Sequence, residues 1–136
     1  MSQPQRYLLD TSAVIDLPNP AQITSDAEYL ISSITLAELN AGIHAATSPV
    51  HRADRLARLL WVTDTFDPLP FTVGAARMYG QLVALVLASG RNPRPRRMDL
   101  LIASVAAHHR LPLLTHNPAD FADLSPLLIL IGLDGR

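Results

Sequence analysis

The chain has 136 residues, 49% of them hydrophobic and 17% charged, with a net charge of −1 at neutral pH. That is the length of one domain with ample apolar material for a core, and it excludes both a disordered chain and a protein that grips nucleic acid through overall positive charge. Cysteine and lysine are absent, all eleven basic residues being arginine, which removes thiolate and disulfide chemistry, P-loop phosphate binding and lysine-based catalysis. The longest apolar runs, 82–88 and 127–133, fall well short of the ~18 residues that span a bilayer. The first apolar run, 7–9, stops at Asp10, too soon for a secretion signal. These features predict one cytoplasmic domain over residues 1–136, with no membrane partner.

Residues 7–9 lead into Asp10, Thr11, Ser12 and the apolar residues 13–15, the pattern of a buried strand, a turn and a short helix. Pro18 and Pro20 stop that helix. A second strand is expected over 29–34, then a helix over 35–46 with Leu36, Leu39 and Ile43 at helical spacing. Ser48 and Pro49 break it. The next helix covers 51–63, with Leu56, Leu59 and Leu60 on one face and Arg52, Asp54, Arg55 and Arg58 exposed. Asp67, Pro68 and Pro70 surround a very short third strand. A long helix fits 73–89, closed by Gly90 just beyond its cap, where glycine suits a left-handed backbone. Residues 91–97 form a proline- and arginine-rich loop, and 98–110 a nearly all-apolar helix against the sheet. A fourth strand (113–115), a turn (118–123) and a fifth strand (127–131) complete the chain. Short strands alternating with helices predict an α/β fold with a mostly parallel sheet and right-handed crossovers. Ligands of such sheets bind beyond the carboxyl ends of the strands, where Asp10 and the turn Thr115-His116-Asn117 fall.

Several acids cluster at these element ends, and each has an ordinary structural reading. Asp10 precedes a helix, where an N-cap stabilises by about 1 kcal/mol. Thr35 and Glu38 match a capping box, the glutamate reaching back to the cap; yet Glu38 is one of two glutamates in the chain, and Gly42 one turn later leaves space beside it. Asp99 opens an apolar helix, where a negative charge suits the helix dipole, but a carboxylate beside so buried a segment needs a partner. Asn117 and Asp120 are common turn residues. Together these hard oxygen donors suit Mg²⁺ or Mn²⁺ rather than zinc. Arg91, Arg94, Arg96 and Arg97 form the one local basic cluster, either a phosphate grip beside Asp99, a solvated loop, or partners for the acids of another protein. Histidines show no metal pattern: His44 and His51 flank a turn, His108 and His109 close a helix whose dipole they can meet, and His116 lies nearest the acids. Trp61 is assigned to the core, with a partner groove as its other reading.

Four segments in order, Tyr7-Leu8-Leu9-Asp10-Thr11-Ser12-Ala13, Ile34-Thr35-Leu36-Ala37-Glu38-Leu39, Met98-Asp99-Leu100-Leu101-Ile102-Ala103 and Leu114-Thr115-His116-Asn117-Pro118-Ala119-Asp120-Phe121, resemble the PIN-domain nucleases, specifically the VapC-type toxins of bacterial toxin–antitoxin pairs. The resemblance implies a three-layer α/β/α sandwich and a Mg²⁺-dependent endoribonuclease, with Mn²⁺ as an alternative ion. It makes Asp10, Glu38 and Asp99 the metal-site acids and Ser12 and Thr115 their hydrogen-bonding supports. The family's fourth acid usually follows the fourth strand; here Asn117 fits the spacing and Asp120 supplies a charge, so that position is open between them. The resemblance further implies an RNA substrate, a VapB-type antitoxin and a homodimer. Competing readings are a catalytically weak PIN-like RNA-binding or assembly module, a phosphatase with Asp10 as nucleophile, and a receiver domain. The phosphatase pattern wants an acid where Ser12 stands, and the receiver needs a lysine.

Overall fold

The computed structural model describes residues 4–16 and 27–133; the helix stop expected at Pro18 and Pro20 lies outside them. Strands β1 (Gln5–Leu9), β2 (Ala27–Ser32), β3 (Pro68–Leu69), β4 (Leu113–Thr115) and β5 (Leu130–Gly132) form one sheet in the order β3-β2-β1-β4-β5. Every neighbouring pair is parallel. Parallel neighbours cannot be joined by tight hairpins, so helices fill the connections: α1 (Thr11–Ile15), α2 (Ser33–His44), α3 (Pro49–Thr65), α4 (Val73–Ala88) and α5 (Arg97–His108). A 3-10 turn, Pro118–Leu124, links β4 to β5.

Successive side chains of a strand point to opposite faces, so adjacent apolar residues feed two cores. Leu8, Leu30 and Leu113 pack with Leu82, Val86, Leu100 and Val105 on the α4–α5 side. Leu9, Ile31 and Leu114 pack with Val14, Val62 and Phe66 on the α1–α3 side. The result is a three-layer α/β/α sandwich, as the resemblance implies. Each fully buried leucine stabilises it by about 1.5–3 kcal/mol. Strands covered on both faces read as continuous apolar runs, which is why 7–9 and 113–114 were legible.

Several boundaries differ from expectation. The buried Ser32, rather than Thr35, caps α2, its Oγ accepting from the Thr35 amide at 3.2 Å. Glu38 therefore lies too deep in the helix to reach the cap, and the capping-box reading is overturned. Helix α2 ends at His44 with Ala45 as its C-cap, before the break expected at Ser48 and Pro49; Ser48 caps the next helix, accepting from the His51 amide at 3.2 Å with Pro49 in the first turn. On α3 the buried residues are Leu59 and Val62; Leu56, Leu60 and Trp61 are exposed, contrary to the expected core face. Apolar residues at 56, 59, 60, 61 and 62 cover more of the helix circumference than one contact with a sheet can bury, and Val62 sets the phase. Trp61 instead packs edge-on against Phe66, ring centroids 5.7 Å apart.

Helix α4 ends as expected. Gly90 has φ +80°, its amide donates to the Leu87 carbonyl at 3.0 Å, and the Arg91 amide donates to Val86 at 3.1 Å. Helix α5 ends in the same motif two residues short of expectation, with Arg110 at φ +55° and the Leu111 amide donating to Ala106 at 2.9 Å. Nearby, burial, then His108 and Arg6, hold the His109 imidazole below its ordinary pKa. Strand β5 starts at Leu130 because residues 124–127 still turn, the Leu127 amide donating to Leu124 at 2.9 Å. No helix among the described residues is long and apolar enough to cross a membrane.

The strand order winds β2 and β3 to one side of β1, and β4 and β5 to the other. The topological switch therefore falls between β1 and β4, and the crevice beyond their carboxyl ends is the place where open parallel sheets bind ligands.

Candidate active site

Asp10 follows β1 directly and is 4% exposed. Its amide donates to the Leu114 carbonyl at 3.1 Å, tying the site to β4. As N-cap of α1, its Oδ1 accepts from the Ala13 amide at 2.8 Å and from the Ser12 hydroxyl at 2.7 Å. Both bonds fall on one oxygen; among the described residues Oδ2 has no hydrogen-bond donor. The cap therefore fixes the carboxylate and leaves half of it for another partner.

Glu38 projects from the middle of α2. The Thr11 hydroxyl donates to its Oε1 at 2.6 Å, and the Thr11 and buried Thr35 hydroxyls lie 3.2 Å apart. Sequence reasoning did not assign Thr11, although its place next to Asp10 was the available signal. A Cβ on Gly42 would meet nothing within 4 Å, so the expected open space is there.

Asp99, half-buried in the first turn of α5, has its carboxyl held above the usual carboxylate range. Burial is the main cause, followed by the negative charges of Asp10 and Glu38; the Arg96 guanidinium opposes them and Asp120 adds to them. Acids from three other segments thus disfavour the charged form of Asp99. Among the described residues, no three such side chains close into a ready-made metal cage; they surround Asp99 at Coulombic range. The donor set fits a hard divalent cation: carboxylates, an Asp10 Oδ2 without a donor among the described residues, and a local excess of negative charge that like-charge repulsion disfavours.

The buried Thr115 accepts from the Asn117 amide at 3.0 Å, pinning the turn after β4. Asn117 is exposed, and its side chain makes no capping bond. The Asp120 amide donates to the Asn117 carbonyl at 3.0 Å, and of these two candidates it is Asp120 whose charge reaches Asp99. His116 Nε2 approaches Asp16 Oδ2 to 3.4 Å without a hydrogen bond, a proximity that sequence reasoning missed.

The four arginines divide. Arg96 is 10% exposed at its side chain and grips Asp123, Nη1 to Oδ2 at 2.8 Å and Nη2 to Oδ1 at 3.1 Å, while also donating to the Asp120 carbonyl. Arg91 lies 3.9 Å from the same carboxylate. The expectation of a four-arginine phosphate grip is corrected for Arg96, and Arg91 leans the same way, because a guanidinium fork matches a carboxylate. Arg94 and Arg97 remain exposed and line a groove of about 480 Å³ together with Glu38 and Asp99.

The PIN domain family profile matches residues 7–125. Ribonuclease VapC5 of Mycobacterium tuberculosis is 41% identical over 127 residues, covering 89% of each chain. Ribonuclease VapC of Rickettsia bellii is 29% identical over 133 residues, covering 90% of this chain and 93% of its own. Among solved structures, VapBC-5 from M. tuberculosis, a member of the VapBC family of toxin–antitoxin systems, superposes with a TM-score of 0.79 at 38% identity, covering 95% of this chain and 98% of the other. VapBC2 from Rickettsia felis, bound to a DNA fragment from its promoter, gives 0.77 at 26% identity, covering 94% and 98%. With acids from four segments gathered at the switch point of a parallel sheet, and these matches along nearly its whole length, the chain belongs to the PIN-domain family, in its VapC ribonuclease branch.

Proposed function

We propose that the chain is a divalent-metal-dependent endoribonuclease, the cytoplasmic toxin of a toxin–antitoxin pair, working as one PIN-like unit over residues 1–136. The observation that carries this reading is that Glu38 and Asp99 line one groove, while the Thr11 hydroxyl ties Glu38 to the residue next to Asp10 at the end of β1. Asp10, Glu38 and Asp99 hold Mg²⁺, or Mn²⁺ in its place; Asp120 supplies the fourth negative charge, and the Asn117 amide orients water or substrate. When bound, such an ion supplies acidified water for in-line attack and neutralises charge developing on the phosphodiester. The chain's own side chains do the positioning: Ser12 fixes Asp10, Thr11 fixes Glu38, and Thr115 pins the turn that carries Asn117. Arg94 and Arg97 hold substrate phosphates in the groove beside Asp99. Hydrolysis forms one water-oxygen-to-phosphorus bond as a phosphorus-to-ribose-oxygen bond breaks.

The partner is a VapB-type antitoxin, a reading supported by VapBC complexes among the structural relatives, and the toxin pairs with a second copy of itself. Purified protein incubated with total cellular RNA tests the activity, in Mg²⁺ or Mn²⁺ and in EDTA, beside Asp99→Asn. Cleavage that needs the metal and disappears in the variant is the expected result. Equal cleavage by both proteins overturns the site, and no cleavage of any RNA by folded, antitoxin-free protein overturns the activity.

A further inference from the structure

Glu38 borders two cavities. One is the groove of Arg94 and Arg97 on the α5 side. The other, about 250 Å³, opens on the α3 side and is lined by Thr11, Ile15, Gly42, Arg55 and Arg58 as well as Glu38. Arg55 and Arg58 are three residues apart and share a helix face. Arg55 Nη1 donates to the Gly42 carbonyl at 2.5 Å, which holds the guanidinium at the cleft and leaves its remaining donors free to meet an anion. No carboxylate among the described residues pairs with Arg58. Beyond it, Ile15 and Arg58 also line an adjoining hollow whose far wall is Trp61, 43% exposed and the chain's only tryptophan.

We propose that the Arg55–Arg58 cleft is a second phosphate-binding subsite, and that one RNA strand crosses the acids from the Arg94–Arg97 groove through this cleft to stack a base on Trp61. The proposal rests on the ribonuclease reading and adds the path of the strand. A polyanion lying over several carboxylates is repelled by them. Cationic contacts on both sides of the scissile phosphate counter that repulsion beyond the metal and hold the strand in line for attack, and each side of Glu38 offers two arginines. Guanidinium groups followed by an exposed aromatic face are the elements that single-strand binding surfaces combine.

The test measures binding of a fluorescein-labelled, mixed-sequence single-stranded RNA over a salt series, on the Asp99→Asn background so that the strand stays intact. Each phosphate contact on single-stranded nucleic acid contributes about 0.7 to the slope of log affinity against log salt. Arg55→Gln with Arg58→Gln is expected to flatten that slope by about 1.4. Because Arg55 also ties α3 to α2, Arg58→Gln alone is measured too, with an expected flattening of about 0.7. RNA is expected to quench the fluorescence of Trp61. Wild-type cleavage of total RNA in Mn²⁺ is run alongside. If wild type cleaves RNA while the slopes and the Trp61 signal do not change, the subsite is overturned and the ribonuclease reading stands. If wild type does not cleave, the ribonuclease reading fails and takes the subsite with it. If the variants lose a co-expressed antitoxin but bind RNA with the wild-type slope, the cleft belongs to the antitoxin and the subsite is overturned.

Discussion

Arg96 and Asp123 form a two-pronged ion pair, 2.8 and 3.1 Å, that fastens the start of α5 to the turn carrying Asp120. Because Arg96 also donates to the Asp120 carbonyl, the pair fixes two acid-bearing segments against each other across 27 residues of sequence. Asp123→Asn keeps the shape and removes the charge, and is expected to cost about 2 kcal/mol, the scale of a hydrogen-bonded charge pair shielded from water. The hydrogen bond from Arg96 is the main reason that the Asp123 carboxyl sits below the usual carboxylate range. A lowered folded-state pKa contributes stability above the unfolded value and loses it as pH falls through the folded one. The gap between wild type and variant, read by thermal melts, therefore narrows on acidification; a gap independent of pH contradicts the pairing.

Asp99 works in the opposite sense. Its raised carboxyl pKa means that the folded protein favours the protonated form, a contribution complete below the ordinary carboxylate pKa and lost as pH rises through the raised one. In EDTA, Asp99→Asn is expected to be more stable than wild type at neutral pH, with the difference vanishing in acid. Functional sites commonly carry such a cost. Melting curves in EDTA across that pH range check the prediction, and a variant less stable than wild type at neutral pH refutes it.

Thr11 is the hydroxyl that donates to Glu38. Thr11→Val removes that donor at nearly constant volume and is expected to raise the Mg²⁺ concentration for half-maximal cleavage about tenfold, the scale seen for residues that orient metal ligands. Thr11→Ser restores it. A Mg²⁺ titration of RNA cleavage distinguishes this from a loss of fold, which lowers activity at every metal concentration.

Arg110 holds a left-handed backbone conformation, φ +55°, at the end of α5, where glycine avoids the Cβ conflict. Arg110→Gly is expected to stabilise the protein by up to about 1 kcal/mol. Denaturant unfolding measures it, and a loss of stability shows that the arginine side chain has a role at this helix end.

The sequence made much of the architecture legible because the informative contacts were local. Apolar runs ending at Asp10 and Thr115 marked the two central strands, and Gly90 marked the end of α4. Local pattern alone can mislead: Thr35 and Glu38 imitate a capping box, the reading weighed against a metal role for Glu38, whereas Ser32 does the capping. The phase of α3 depended on which face met the sheet, which the apolar residues from 56 to 62 do not settle by themselves. Asp123 was invisible as the partner of Arg96 because nothing near either residue in sequence signals the other. Asp10 and Asp99 stood out at element ends; Thr11, between two assigned residues, went unassigned because a hydroxyl carries no charge pattern to follow.

Anomalous diffraction from crystals soaked in Mn²⁺ shows whether Asp10, Glu38 and Asp99 form a metal centre at the β1–β4 switch point. The expected result is a peak within about 2.5 Å of Asp10 Oδ2 and of an Asp99 carboxylate oxygen, at coordination distances for a hard divalent ion, and its loss in Asp99→Asn. A protein that cleaves RNA in Mn²⁺ but shows its manganese peak away from these carboxylates has its metal centre elsewhere, and the assignment of Asp10, Glu38 and Asp99 fails.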